Sequence, residues 1–195
     1  NASSLAANTY SDAVSFTNMS NGAGNATATV RLIVNPPPAQ LAGGPLTGFG
    51  SSGIVGGPFS PADQTYSLTH IGGTMLDWTA NITAPWLTLS ATNGTLAPGD
   101  STNITLSINA NAEALAVSAY SDIISFTNTS NGLGNTADDV SLMVLAPAAQ
   151  LVVGPAAGFD ANGYVGGPFS PASQTYSLTN LGGTALEWTA SVAAD

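Results

Sequence analysis

The chain of 195 residues is 44% hydrophobic but only 6% charged, and it carries a net charge of −10 with Arg31 as its single basic residue. One basic side chain cannot neutralise a row of phosphates, which excludes nucleic-acid binding. No apolar run approaches the roughly 20 residues that cross a bilayer, so we expect no membrane insertion in this segment. Cysteine is absent from the sequence, which excludes disulfides and thiolate metal sites.

The first segment with a clear pattern, near the N-terminus, belongs to an internal repeat. Its residues Tyr10-Ser-Asp12 and Phe16-Thr-Asn18 recur 110 positions later, and the heptapeptide that begins at Gly56 recurs at Gly166 with the same offset. Of the 85 positions that this offset aligns, 50 are identical. Solenoid repeats have periods of about 20 to 50 residues, so a period of 110 predicts that each repeat is a complete domain.

Two proline-containing stretches, 35–40 and 145–150, predict the junctions between repeats, because proline favours stiff, extended linkers. We therefore predict the C-terminal part of one β-sandwich repeat at 1–35, a complete repeat at 36–146 and the N-terminal part of the next at 147–195. A half-sandwich leaves sheet edges unpaired. Either the polypeptide continues at both ends, which we expect, or neighbouring subunits complete each half by strand addition.

Alternating β-branched and aromatic residues between turn signals indicate an all-β fold. In the complete repeat, about seven strands in 110 residues predict an immunoglobulin-like β-sandwich, in which Trp78 would be the core aromatic residue. The pattern places strands at 64–69, 75–82, 86–90, 102–108, 122–127 and 140–145.

Glycine-containing turns separate several of these strands. Gly72-Gly73 and Asn93-Gly94 are expected to supply residues that tolerate positive φ. Pro98-Gly99-Asp100 predicts a further chain reversal.

The run from Tyr66 to Trp78, the segment Trp86-Leu-Thr-Leu and the turn Gly94-Thr-Leu-Ala-Pro-Gly99 together resemble bacterial BACON-type immunoglobulin-like repeats. The resemblance covers nearly the whole period, and its motifs are strand and turn residues rather than catalytic ones. It implies tandem repeats in large exported proteins and an association with carbohydrate binding or with glycan-degrading enzymes. No sugar-contacting motif matches residue by residue, so the resemblance assigns no binding site.

Acid and base residues do not form a constellation that both copies share, which predicts that the protein is not an enzyme. His70, the only histidine, becomes Asn180 one period later, and we expect it at a surface turn. Glycosidases need two carboxylates at a defined separation, whereas the equivalent residues Asp77 and Glu187 supply one acid per repeat. We therefore predict no catalytic residue.

Calcium is the one ion that fits the acidic composition, because it prefers carboxylate and carbonyl oxygens. The segment Asp160-Ala-Asn162-Gly163 and the pair Asp138-Asp139 offer closely spaced oxygen ligands. Their counterparts in the neighbouring copy lack carboxylates, so we favour the absence of a cofactor over a calcium site.

Sugar-binding platforms need exposed aromatic rings, and Trp86 is the one ring that we suspect of partial exposure, because it follows Ala84-Pro85 near a strand start. Packing in the core is the favoured alternative for this ring. Trp86 is therefore the single candidate for stacking on a glycan.

Acceptor sequences for N-linked glycans, Asn-X-Ser/Thr, are the most distinctive chemical pattern of the chain. On strand edges and turns they are compatible with a glycan-coated exterior, provided that the host has an N-glycosylation machinery. They lie at Asn1, Asn18, Asn25, Asn81, Asn93, Asn103 and Asn128.

These features favour a structural protein: a tandem β-sandwich stalk or extracellular fibre component on a microbial cell surface, whose partners are neighbouring repeats or copies of itself. Stiff linkers would hold neighbouring repeats in a fixed pose, and the scarcity of Lys and Arg would leave trypsin-like proteases little to cleave besides Arg31. The alternative is a carbohydrate-binding or adhesive module of a larger secreted protein, with glycans as partners.

Overall fold

The computed structural model describes residues 2–193, and its regular structure is almost entirely β. Two short 3-10 helices, Ala2–Ser4 and Ala110–Ala114, are the other regular elements of this range, and neither is long or apolar enough to span a bilayer. In chain order the strands are β1 (Asn8–Phe16), β2 (Ala26–Val34), β3 (Leu41–Gly44), β4 (Phe49–Ile54), β5 (Asp63–His70), β6 (Leu76–Asn81), β7 (Leu87–Leu89), β8 (Asn93–Leu96), β9 (Ser101–Ile108), β10 (Ser118–Asn128), β11 (Thr136–Leu145), β12 (Leu151–Gly154), β13 (Asn162–Gly163), β14 (Phe169–Ser170) and β15 (Ser177–Asn180).

Strands β3 to β11 form a two-layered sandwich over residues 41–145. One sheet has the order β3-β5-β9-β7 and the other the order β4-β11-β10-β6-β8. Neighbouring strands are antiparallel except β4, which lies parallel to β11 with Phe49 opposite Val140. The prediction of an all-β, immunoglobulin-like sandwich is confirmed.

Alternation along the strands directs one side of each sheet into a shared core. On β10, for example, Ile124 and Phe126 are buried whereas Ile123 is exposed. Across the core, the rings of Tyr66 and Phe126 lie with their centroids 5.2 Å apart. The largest fully buried side chains are Tyr66, Phe49, Phe126, Leu41, Leu68, Leu76, Ile104, Leu106, Ile124, Leu142, His70 and Val140.

The sandwich has nine strands, whereas the sequence predicts about seven. The strands that the sequence pattern does not place are β3, β4 and β8, and their sequence signals are weak. Strands β3 and β4 are rich in glycine and serine, so they lack the alternation that marks a strand. Strand β8 begins at Asn93-Gly94, so the prediction of a turn there is wrong. Glycine is needed because the Trp78 indole packs on it: a Cβ on Gly94 would lie 2.9 Å from Trp78 Cζ2.

The reversal at Pro98-Gly99-Asp100 is confirmed. Gly99 has a φ of 85°, and the Asp100 amide donates a 3.0 Å hydrogen bond to the Ala97 carbonyl. Glycine adopts this left-handed conformation without the steric cost that other residues incur.

The strands on either side of the sandwich pair in two-stranded sheets. Strands β1 and β2 form an antiparallel hairpin with Asn8 opposite Val34. After the sandwich, β12 pairs with β15 and β13 with β14. These segments repeat the sequence of sandwich strands but not their sheet environment.

Candidate functional site: the repeat junctions and the exposed strand faces

The linker before the sandwich is held against the turn at Gly72-Gly73. The Gly73 amide donates to the Pro37 carbonyl at 2.9 Å, and the Ile71 amide donates to the Gln40 carbonyl at 2.9 Å. A Cβ on Gly72 would overlap the Pro38 carbonyl oxygen. The expectation that these glycines supply positive φ is wrong, because neither has one; they let the linker approach the turn closely.

The second junction has the same arrangement. The Gly183 amide donates to the Pro147 carbonyl at 3.0 Å, and the Leu181 amide donates to the Gln150 carbonyl at 2.9 Å. A Cβ on Gly182 would overlap the Ala148 carbonyl oxygen. We call this contact between a linker and the following Gly-Gly turn the linker clamp.

Little chain separates the clamp from the preceding strands. The Leu145 carbonyl, at the end of β11, accepts a 2.9 Å hydrogen bond from the Val55 amide, and the next clamped carbonyl is that of Pro147. Only Ala146 lies between these two anchored residues. Such a short connection, followed directly by proline, restricts how neighbouring repeats can reorient.

A loop of asparagines at the end of β10 holds the entry of the sandwich in place. The Asn128 and Asn131 side-chain amides donate to the Ala39 carbonyl at 3.1 and 2.8 Å, and the Leu41 amide donates to the Leu133 carbonyl at 3.1 Å. The approach is close, since a Cβ on Gly134 would overlap the Leu41 carbonyl. We call residues 128–135 the asparagine loop.

The first copy of this loop, residues 18–25, has the same internal bonds. The Asn18 side-chain amide donates to Asn21 Oδ1 at 2.7 Å and to the Ala23 carbonyl at 2.9 Å, and the Asn18 backbone amide donates to Asn25 Oδ1 at 2.7 Å. A Cβ on Gly24 would meet nothing within 4 Å. The hydrogen bonds that define this conformation therefore all lie within residues 18–25.

Side chains that form the core of the sandwich are exposed in the flanking copies. Phe126 is fully buried but its counterpart Phe16 is 60% exposed, and Trp78 is 4% exposed but its counterpart Trp188 is 55% exposed. The other exposed counterparts of core residues include Val14, Val30, Leu32, Leu151, Phe159, Phe169, Tyr176 and Leu178. The complete repeat buries the counterparts of these side chains.

Asp138 is buried in the sandwich and bridges the two sheets. Its Oδ1 accepts from the Gly48 amide at 2.9 Å, and its Oδ2 accepts from the Tyr66 hydroxyl at 3.0 Å. Burial, and next the hydrogen bond to Asp138, raise the pKa of Tyr66 well above its ordinary value. Because Asp139 is exposed on the opposite face of β11, the two carboxylates that were candidates for calcium ligands do not converge.

Asp122 joins β10 to the segment after β6. It accepts hydrogen bonds from the Thr83 amide at 2.8 Å, the Thr83 hydroxyl at 2.7 Å and the Ala84 amide at 2.7 Å. Partial burial alone would raise the pKa of Asp122, but the hydrogen bonds from Ala84 and Thr83 outweigh it and lower the pKa below its ordinary value.

An open groove of about 600 Å³ lies beside Asp122 on the outer face of the sheet. The polar side chains along it come from Thr83, Ser121, Ser125, Asp139 and Ser141. Its lining includes no aromatic ring, so it lacks the platform on which sugars stack.

His70 is fully buried at the end of β5, so the expected surface turn is wrong. Neither of its ring nitrogens has a hydrogen-bond partner. Its counterpart Asn180, by contrast, accepts from the amides of Gln150 and Gly182 at 3.1 and 2.9 Å and donates to the Thr184 carbonyl at 2.8 Å. Within residues 2–193, no three His, Cys, Asp or Glu side chains cluster as metal ligands would.

Trp86 is only 4% exposed and packs in the core, so the suspected partial exposure is wrong. A buried ring cannot stack on a glycan without unfolding its surroundings. The alternative of core packing is the one that the structure has.

The glycan acceptor sequences divide into exposed and buried asparagines. Asn128 is 1% exposed and its side-chain amide donates to Ala39, Asn131 and Leu133, so the expectation that it lies on the exterior is wrong. Asn1 lies outside the described residues. The exposed acceptors are Asn18, Asn25, Asn81, Asn93 and Asn103, at which glycosylation stays a prediction.

One family model matches part of the chain. Residues 60–137 match the family model described as the viral BACON domain. No curated protein matches the chain.

Several solved structures are similar at low identity. A PapD-like domain of human CEP192 has a TM-score of 0.43 at 12% identity over 60% of this chain and 92% of that one. A Porphyromonas gingivalis protein of unknown function has a TM-score of 0.41 at 13% identity, covering 72% and 68% of the two chains. A Bacteroides ovatus xyloglucanase has a TM-score of 0.38 at 11% identity over 57% of this chain and 20% of the enzyme.

The matched region runs from the residues before β5 into β11 and contains the Tyr66 to Trp78 run, Trp86 and the Gly94 to Gly99 turn. The same segments carry the resemblance to BACON-type repeats. Residues 60–137 are therefore similar to the viral BACON domain, as the resemblance in the sequence predicts.

Proposed function

We propose that the protein is a structural component of an extracellular fibre or stalk on a microbial cell surface, and that its repeats act as stiffly connected β-sandwich units without catalytic activity. The observation that carries the proposal is the linker clamp, which occurs at both junctions with the same donors and acceptors. A linker that is bound to the following unit transmits orientation from one repeat to the next, as a stalk requires.

Charge and composition support the same role. With one basic residue in the chain, few surface ion pairs exist for salt to screen. Arg31, the single trypsin site, lies opposite Ser11 within the β1–β2 hairpin. The exposed glycan acceptors also suit a protein that meets varied external conditions.

Carbohydrate binding is the alternative function, and it would need a site other than Trp86. The groove beside Asp122 offers hydroxyls and carboxylates to a sugar but no ring. We therefore rank the structural role first. Selective binding of the chain to a glycan array, lost on changing groove residues such as Asp139→Ala, would reverse that order.

The clamp can be tested with pairs of spin labels, because the chain has no cysteine of its own. Labels at the exposed positions Asn103→Cys and Thr175→Cys report the distance across the second junction. We expect a narrow distance distribution that broadens in Gly183→Ala, since the added Cβ would lie 2.9 Å from Pro147 Cδ. The exposed Gly158→Ala is the control, because a Cβ there meets nothing within 4 Å.

A distribution that is broad in the unmodified chain would refute a stiff junction. A narrow distribution that survives Gly183→Ala would show that the clamp is not its cause.

A further inference from the structure

We propose that the sandwich is a load-bearing unit, in which the parallel strands β4 and β11 resist tension that is applied along the array. The inference rests on the proposed structural function, because a stalk or fibre is pulled from its two ends. It adds a mechanical activity to that function: the sandwich stays folded under a force that would open other arrangements of the same strands. We call the paired residues 49–54 and 140–145 the terminal strand pair.

The chain enters and leaves the sandwich at opposite ends. At the entry, the Leu41 amide donates to the carbonyl of Leu133, in the loop that precedes β11. The exit is Leu145, the last residue of β11, which is 10 residues long. At about 3.3 Å per residue, the entry and the exit lie about 30 Å apart along β11. Tension between the segments before and after the sandwich therefore acts along its strands.

The parallel direction of the terminal strand pair decides how this tension acts on it. The pairing runs from Phe49 opposite Val140 to Ile54 opposite Leu145. The load reaches β4 at its first residue, from β3 and the entry, whereas it reaches β11 at its last residue, from the exit. It therefore pulls the two strands lengthwise in opposite directions. Because the evenly spaced hydrogen bonds of a parallel pair lie across this direction, they share the load and must break together.

Strand β4 is also tied to β11 beyond both of its ends. Directly before β4, the Gly48 amide donates to Oδ1 of Asp138, a buried residue of β11, at 2.9 Å. Directly after β4, the Val55 amide donates to the Leu145 carbonyl at 2.9 Å. A hydrogen bond in the low-dielectric interior, such as that of Asp138, is stronger than one in water. Neither end of β4 can therefore separate from β11 without first losing one of these bonds.

The entry segment is held as well, so that tension reaches β4 through bonded chain. The linker clamp binds the Pro37 carbonyl, and the asparagine loop binds the Ala39 carbonyl with two side-chain amides. Strand β3 follows and pairs antiparallel with β5, with Leu41 opposite His70. A pull on the entry draws β3 along its own axis, so the bonds between β3 and β5 are also loaded together.

Single-molecule pulling on the 195-residue chain tests the proposal without weakening the fold, because the chain has no cysteine and handles can be attached at chosen exposed positions. Handles at Asn35→Cys and Ala148→Cys load the sandwich lengthwise. Handles at Val55→Cys and Ala148→Cys load the same strand pair from its exit end alone, so its bonds open one after another. We expect the lengthwise rupture force to be about twofold or more the higher. Equal forces in the two geometries would overturn the proposal.

Proline variants test which bonds carry the load. Val55→Pro removes the amide that binds the Leu145 carbonyl, and we expect it to raise the unfolding rate at constant lengthwise force about fivefold, the equivalent of one hydrogen bond. The control, Ser90→Pro, acts at the far edge of the other sheet, where the Ser90 amide donates to the Thr105 carbonyl and the Ser90 hydroxyl accepts from the Thr105 amide, both at 2.9 Å. It removes at least as much bonding, but it should change the rate under force little.

A larger effect of Ser90→Pro than of Val55→Pro under force would overturn the role of the terminal strand pair. If a proline variant does not fold, the comparison of the two pulling geometries decides alone. Equal forces in those geometries, with a narrow spin-label distribution across the second junction, would refute load bearing and leave the structural function standing. A higher lengthwise force with a broad distribution would support the load-bearing pair and refute the stiff junction.

Discussion

The Tyr66 hydroxyl donates a 3.0 Å hydrogen bond to Asp138 Oδ2 in the interior of the sandwich, and so connects the sheet that contains β5 to the sheet that contains β11. The two residues are 72 positions apart in the sequence. The flanking copies do not preserve the pair, because Tyr176 is exposed and the counterpart of Asp138 is Ala28.

Tyr66→Phe should lower the free energy of unfolding by about 1–3 kcal/mol, because it leaves a buried carboxylate oxygen without its donor. Tyr176→Phe is the matched control and should have almost no effect. Chemical denaturation of the two variants measures the difference. Equal stabilities would show that the Tyr66 to Asp138 bond contributes nothing net.

The raised pKa of Tyr66 predicts a loss of stability in alkali. The unfolded chain ionises its tyrosine near pH 10, whereas the folded chain holds Tyr66 protonated to higher pH. The contribution of Tyr66 is therefore complete below about pH 10 and declines as the pH rises above it. Denaturation at a series of alkaline pH values should show this decline in the unmodified chain and a weaker one in Tyr66→Phe.

Asp122→Asn should reduce the stability of the sandwich by about 1 kcal/mol at neutral pH, a modest effect because the carboxylate is partly exposed. Since the pKa of Asp122 is lowered in the folded state, its contribution is complete above the unfolded pKa of about 3.9 and is lost as the pH falls through the folded pKa. The difference in free energy of unfolding between the unmodified chain and Asp122→Asn should thus be constant near pH 7 and disappear in acid. Asp12→Asn, at an exposed counterpart, should open no such gap.

His70→Asn should stabilise the sandwich, since asparagine at the equivalent position 180 satisfies three backbone groups and the histidine nitrogens satisfy none. We expect a gain of about 1 kcal/mol in the free energy of unfolding. Ile71→Leu, another exchange between the copies but at an exposed residue, should be neutral. A destabilised His70→Asn would show that the ring's packing outweighs its unpaired nitrogens.

Glycan occupancy should follow exposure. When the chain is secreted from a host that attaches N-linked glycans, peptide mass spectrometry should find sugar at exposed acceptors such as Asn103 and none at Asn128. A glycan on Asn128 of the folded protein would contradict the buried asparagine loop. Asn128→Gln should destabilise the sandwich, whereas Asn103→Gln should not.

Local pattern was sufficient to predict the class of fold, the position of Trp78 in the core and the turn at Gly99. The two misplaced polar residues, His70 and Asn128, each continue a buried alternation: His70 follows Tyr66 and Leu68 at spacings of two. That alternation is a usable signal of burial, although the polarity of the two side chains favours an exposed position.

Contacts between distant segments could not be derived in this way. The Asn128 to Ala39 bond spans 89 positions, and the linker clamp depends on a close approach that a Gly-Gly pair permits without identifying what approaches it. The exposed strand faces likewise could not be predicted from the sequence, because they differ from the core strands in their surroundings rather than in their residues.

Electron cryomicroscopy of the native cell surface, with labelling by an antibody against this chain, tests the structural role most directly. The account predicts labelled fibres in which β-sandwich units follow one another at constant spacing and in constant orientation. Labelled chains that are detached from any fibre, or units that adopt random orientations along it, would contradict the account.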